Sequence, residues 1–189
     1  MLPLALDLSL LPSALAGAGA PLLRRLTLLD SEHVGGLTIF CAEPDSELTK
    51  AAGGRLEFRL PDEADIAALR VLFIAGLPDI ESARLVTIAR NHNVLVNVED
   101  TPPLCDFHVP AILRRGDLAI SISTGGRSPS LARRVQRYLA DLFPERWADR
   151  TQHLADLRDS LYANGASPAE VAGASDALID KEGWLPRRS

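Results

Sequence analysis

Asp100 follows the apolar run Val94-Leu95-Val96-Asn97-Val98, which has the length and composition of a buried strand. A carboxylate just past the C-terminal end of a strand in a parallel α/β sheet stands where such sheets bind their ligands. A second candidate lies at Thr124-Gly-Gly-Arg-Ser-Pro129. The N–H groups of such a turn, with the hydroxyls of Ser123, Thr124 and Ser128, suit an anion. A helix start there adds about 0.3–1 kcal/mol for one negative group. Arg127, Arg133, Arg134 and Arg137 raise the local positive charge, although an ordinary capped helix with a solvated basic face reads the same way. A third candidate is Gly17-Ala18-Gly19, where glycines let backbone approach a pyrophosphate. Its third glycine is missing, because Leu22 holds that place, so a plain turn also fits. Glu43 follows the second expected strand and can accept hydrogen bonds from ribose hydroxyls while repelling a 2′-phosphate. A solvated loop glutamate is the other reading.

These groups need a scaffold, and the apolar pattern supplies one. Strands are expected over Ser13–Ala16, Leu37–Cys41, Leu56–Leu60, Val71–Ala75 and Val94–Val98. Helices are expected over Pro21–Leu29, Asp62–Leu69 and from an Asp79 cap to Asn91, the last with Ile80, Ala83, Val86 or Leu85, and Ile88-Ala89 inward. Strand and helix alternating at short intervals argue for a parallel sheet with helices on its faces. Further on, Leu118, Ile120 and Ile122 alternate with Ala119, Ser121 and Ser123 as a strand. Ser128 caps the next helix and Pro129 opens it, with Leu131, Val135, Leu139 and Leu142 on one face. After Asp141 come two charged helices. The first carries Trp147, Leu154, Leu157 and Leu161; the second starts at Ser167-Pro168 and carries Val171, Ala174 and Leu178. Trp184 and Leu185 anchor the tail.

Bulk properties narrow the classes. The 189 residues are 47% hydrophobic and 24% charged, values of a globular chain with a sizeable core. A net charge of -5 with 5% aromatics argues against nucleic-acid binding. Cys41 and Cys105 form neither a disulfide framework nor a zinc pattern, and two thiols fit a reducing cytoplasm. The first twenty residues mimic a signal peptide but lack a basic start and carry Asp7 and Pro12; they read as mature protein. No other run is long and apolar enough to span a membrane. His33, His92 and His153 read as structural or solvated. His108, in the Asp100–Pro110 loop, can reach a cleft. The four histidines show no zinc spacing, and no metal site is expected.

Asn97-Val-x-Asp100, Phe107-x-x-Pro110 and Ser-Thr-Gly-Gly-x-Ser-Pro, in this order, resemble the dehydrogenase/ferrochelatase module of siroheme synthase, the precorrin-2 dehydrogenase family. The likeness is strong over about Asn91 to Leu142 and looser on either side. It implies a Rossmann-like NAD-binding domain over 1–110, a small α/β dimerisation and substrate segment over 111–143, and a helical C-terminal domain over 144–189. It further implies oxidation of precorrin-2 to sirohydrochlorin, with NAD as cofactor, Asp100 as general base and ferrous iron as a further substrate in some members. Cofactor contacts fall on Gly17, Gly19, Ala20, Pro21, Glu43, Pro44 and Gly76. Substrate contacts fall on Asn97, His108, Thr124, Gly125, Gly126, Arg127 and Ser128, with Arg114 and Arg115 as further partners for carboxylates. Two chains are expected to pair. Similar proteins carry Thr where Gly76 follows Ala75. That change and Leu22 keep open a chelatase or tetrapyrrole-binding protein that has lost NAD. A phosphosugar-binding domain of the sugar-isomerase type is a further alternative for the Thr124–Ser128 bend.

Overall fold

The computed structural model describes residues 3–32 and 34–186; the expected turn at His33 lies outside them. The chain divides into two compact units, Met1–Val109 and Pro110–Ser189.

The first unit is a five-stranded parallel sheet with helices on both faces. Its strands are β1 (Ser13–Gly17), β2 (Leu37–Phe40), β3 (Leu56–Glu57), β4 (Val71–Ala75) and β5 (Leu95–Val98), in the order β3-β2-β1-β4-β5. Because alternate side chains point to opposite faces, β1 and β4 feed two cores. Leu15, Val71 and Phe73 pack with Leu22, Leu26 and Leu29 of α1 (Gly19–Ser31) and Leu48 of α2 (Ser46–Ala52). Ala14, Leu72 and Ile74 pack with Ile66 of α3 (Glu63–Ala67) and Leu85, Val86 and Ala89 of α4 (Asp79–Asn91). The alanines of β1 make a weak strand by propensity, but all five β1 residues are buried, and burial between neighbours overrides propensity. The N-terminal segment adds Leu8 and Leu11 to the first core, and the Pro12 carbonyl accepts the Arg70 N–H at 2.8 Å.

Several expectations need correction. Ile80 and Ala83 face solvent; the buried stripe of α4 is Ser82, Leu85, Val86 and Ala89. Positions 80 and 83 belong to the opposite helical face. Pro78, not Asp79, is the N-cap residue. The third strand stops at Glu57, on the sheet edge. Helix α2 was not expected: it has seven residues, held by the Leu48 N–H donating to Asp45 Oδ1 at 2.7 Å and by burial of Leu48 and Ala52.

The second unit begins with an antiparallel hairpin of β6 (Ala111–Arg115) and β7 (Leu118–Ile122). Helices α5 (Pro129–Leu142), α6 (Trp147–Ala163) and α7 (Pro168–Lys181) follow. β7 is half-buried at Leu118, Ile120 and Ile122 and exposed at Ala119 and Ser121, the alternation read from the sequence. β6 escaped that reading because two of its five residues are arginines. The second of them, Arg115, donates through Nε to the Phe143 carbonyl at 2.6 Å and pairs with Glu145 at 3.2 Å. It braces the α5–α6 connection, so it is committed inside the fold instead of meeting a ligand. Arg150 stacks on Trp147 and Trp184, 4.7 and 5.2 Å from the ring centres, which ties the tail to α6.

Candidate active site

In the first unit the sheet order reverses between β1 and β4, and open α/β sheets bind ligands outside the strand ends at that point. The two strands meet there very closely. A Cβ on Gly17 would lie 1.9 Å from the Ala75 carbonyl oxygen, and the Ala18 N–H donates to that same oxygen at 3.0 Å. Gly76, at φ +73°, approaches equally closely: its Cβ would lie 2.3 Å from the Ala18 carbonyl oxygen and 3.2 Å from the Pro21 ring. Glycine at these two places lets the β1–α1 turn and the end of β4 lie against each other.

Helix α1 starts beside this contact with Gly19 and Ala20 exposed. No side chain caps it, and its first turn holds no carboxylate. The first turn of this thirteen-residue helix thus presents unsatisfied N–H groups and a positive dipole end, which suits a pyrophosphate. Leu22 does not obstruct the turn. It is fully buried against the sheet with Leu26, so the absent third glycine changes how the helix packs and leaves the N–H groups exposed. Glu43 is exposed just beyond β2, and Pro44 is half-buried beside it. These residues fit a dinucleotide.

Asp100 stands at the end of β5, exposed and in the left-handed region at φ +58°. Left-handed backbone is costly for most side chains and least so for Asp and Asn. The surrounding bonds impose it. The Glu99 N–H donates to the Ile74 carbonyl at 2.9 Å, and the Thr101 N–H turns back to Val98 at 3.4 Å. The returning loop is fastened to β5: Asp106 Oδ2 accepts the Val96 N–H at 3.0 Å, Arg90 pairs with Asp106 at 2.9 Å, and Cys105 Sγ lies 3.3 Å from the Val98 nitrogen. Phe107 packs edge-on against Phe73, with ring centres 5.6 Å apart.

Asn97 is buried, and its Nδ2 donates to the Phe107 carbonyl at 2.9 Å, so it fastens the loop. His108 is exposed. His92 Nε2 lies 3.0 Å from Glu63, and the His153 ring packs near Trp184; both are structural.

One residue escaped the sequence reading. Arg25 lies in the middle of the apolar stripe Leu22, Leu26, Leu29 of α1, at core-facing spacing. Its side chain is 10% exposed, and Nη2 lies 3.9 Å from Glu99 Oε1. Burial pushes its pKa below the ordinary arginine value, and the Glu99 charge pushes back. An arginine at i+3 within a leucine stripe was the available signal.

In the second unit, the bend from Thr124 to Ser128 is internally braced. The Ser128 N–H donates to Thr124 Oγ1 at 3.0 Å, the Gly125 N–H to Ser123 Oγ at 3.2 Å, and the Leu131 N–H to Ser128 Oγ at 3.2 Å. The hydroxyl oxygens therefore occupy several of the N–H groups expected to meet an anion, leaving hydroxyl protons and the exposed Arg127 to do so. Gly125 and Gly126 have φ of +62° and +78° with open space around them. Among the described residues, no group of His, Cys, Asp and Glu could hold a metal ion, and no helix is long and apolar enough to cross a membrane.

The geometry defines a nucleotide-binding α/β protein with a carboxylate at the end of β5, the strand next to β4, and comparison with known proteins agrees. Residues 4–111 match a family model described as "Putative NAD(P)-binding", and residues 115–142 match one for the "Sirohaem biosynthesis protein central" region. The chain belongs to the siroheme synthase family. Siroheme synthase of Methylococcus capsulatus is 33% identical over 163 residues, covering 85% of this chain and 34% of that protein. Siroheme synthase 2 of Yersinia pestis is 33% identical over 177 residues, covering 89% and 36%. This chain thus spans about a third of the length of these relatives. The solved structure of SirC, a precorrin-2 dehydrogenase, superposes with a TM-score of 0.77 over 98% of this chain and 92% of that one, at 23% identity, which shows the shared fold. The central-region match sets aside the phosphosugar reading of the bend.

Proposed function

We propose that the chain oxidises precorrin-2 to sirohydrochlorin, with NAD as the hydride acceptor. The observation that carries this reading is the pairing of a glycine-built dinucleotide turn with Asp100, held left-handed at the end of β5. Gly17, Gly19, Ala20, Pro21 and Gly76 shape the cofactor side. Glu43 with Pro44 takes the adenosine end, and its charge favours NAD over NADP. When bound, the nicotinamide accepts the hydride. The departing proton goes to the Asp100 carboxylate as general base, a role worth about 10²–10⁴-fold in rate. Thr124, Gly125, Gly126, Arg127 and Ser128 meet the carboxylates of the tetrapyrrole through charge-assisted hydrogen bonds. Ferrous iron is a further substrate, and the two thiols suit work in the cytoplasm.

Two copies pair through the hairpin and α5. Leu131, Tyr138 and Leu142 are 52%, 64% and 53% exposed on that helix, and apolar surface grouped this way marks an interaction face. A Leu131→Glu, Leu142→Glu variant is expected to sediment as a monomer where the parent chain sediments as a dimer.

The deciding experiment is incubation with precorrin-2 and NAD, then with ferrous iron, following the absorption spectrum at each stage. NADH formation is expected in the first stage. Its absence, with iron inserted when sirohydrochlorin is supplied directly, would instead favour a chelatase that has lost NAD. Asp100→Asn is the appropriate variant, since Asn keeps the left-handed backbone; it is expected to bind NAD normally and form NADH at least about 100-fold more slowly.

A further inference from the structure

We propose that Arg25 and Glu99 form a buried charge pair that positions Asp100, an inference that rests on the dehydrogenase reading. Among the described residues, three buried side-chain polar atoms of the first unit have no hydrogen-bond partner: Arg25 Nη1, Asn97 Oδ1 and Glu99 Oε2. They belong together. Asn97 and Glu99 are two residues apart along an extended chain and so point to one face. That is the face covered by α1, where Leu22 and Leu26 pack on Phe73, the register partner of Asn97. Arg25 reaches the same place from α1, with Nη2 at 3.9 Å from Glu99 Oε1 and its charge within electrostatic reach of Glu99, Cys105 and Asp100.

Such an arrangement is a poor way to gain stability. The pair is long, both side chains are largely out of water, and each keeps a polar atom unsatisfied. Apolar residues in both places would serve the core at least as well, as Leu22 and Leu26 on either side of Arg25 show. Groups that break the rules of a core mark places held for another purpose, and here that place adjoins the left-handed Asp100. Glu99 is fixed at its N–H by Ile74 and at its side chain by Arg25. With residue 99 held at both ends, the Asp100 backbone cannot relax to the extended conformation, and its carboxylate keeps one direction. Arg25 touches no reacting atom in this account; it acts through Glu99.

The test separates positioning from stability. NADH formation from precorrin-2, NAD titration and thermal unfolding are measured for the parent chain, Glu99→Gln, Arg25→Lys, and the double variant Arg25→Met, Glu99→Leu. The double variant is expected to melt at or above the parent temperature and bind NAD within about twofold. Its kcat is expected to fall at least about tenfold, because small misplacement of a reacting group is costly, with KM little changed. Arg25→Lys is expected to retain most of the kcat. A double variant with parent kcat would show that the pair is merely structural and overturn the inference. If the double variant fails to fold, Glu99→Gln decides: parent kcat there overturns the inference equally. A parent chain that makes no NADH removes the dehydrogenase reading, and this inference with it; a parent chain that does make NADH leaves the variants to judge the inference alone.

Discussion

Two glycine-rich bends in this molecule are built on opposite principles. Where the β1–α1 turn meets the end of β4, Gly17 and Gly76 are required by neighbours: each would drive a Cβ into a carbonyl oxygen of the adjoining segment. At the Thr124–Ser128 bend, Gly125 and Gly126 are required only by their own backbone angles, since nothing lies within 4 Å of an added Cβ. The first turn is part of a packed core; the second is a loop held by its own hydroxyls. The same contrast runs through the two units. β1 and β4 are buried along their whole length, whereas Leu113, Ala132, Trp147 and Val171 are the only buried apolar residues described in the second unit. A sparse core with an exposed apolar helix face is the ground on which the pairing of two copies was proposed.

The contrast makes graded predictions. Gly17→Ala should have the largest effect, because β1 must part from β4 to admit a methyl group 1.9 Å from an oxygen. A cost of about 3 kcal/mol or more is expected, read as a large fall in the unfolding midpoint and in soluble yield. Gly76→Ala should come next, combining a similar clash with a left-handed backbone; NAD affinity should drop with stability. Gly125→Ala should cost about 1–2 kcal/mol from backbone angle alone, with NAD binding unaltered. Equal losses in Gly17→Ala and Gly125→Ala would erase the distinction between the two bends. Ser128→Ala, which removes the α5 cap, should cost about 1 kcal/mol.

The smallest effect separates the units by acid. The Arg59 guanidinium hydrogen-bonded to Asp65 holds that carboxyl down at about 2. Its folded value lies below the unfolded value of about 3.9, so the contribution is complete above that value and is lost as pH falls through about 2. Both groups are near the surface, so the effect is slight. Asp65→Asn should flatten the low-pH end of the acid unfolding curve of the first unit, and an unaltered curve would show that the pair contributes nothing.

Most of the sheet was legible because its strands are continuous apolar runs between turn residues. Val71–Ala75 and Leu95–Val98 lie where the pattern put them, and Ser128 caps α5 as its position predicted. What stayed hidden depends on tertiary context. Helix α2 is too short to show a period. β6 carries two arginines, and the partners of Arg115 are distant in sequence. Asn97 reads as a site residue beside Asp100, yet strand alternation turns it inward while Asp100 leaves the strand altogether. The charges of Arg25 and Glu99 are 74 positions apart in number, and only the fold makes them neighbours.

The two cysteines give the chain its own pair of reporters. Cys41 is sealed at the end of β2, and burial pushes its thiol pKa up; Cys105 clasps the last residue of β5. Alkylation can reach the first only when the sheet opens around β2, while the second, half-buried, reacts faster whenever the loop lifts from β5. Labelling rates at the two sulfurs therefore time the breathing of opposite flanks of one sheet, without any probe having to be engineered into it.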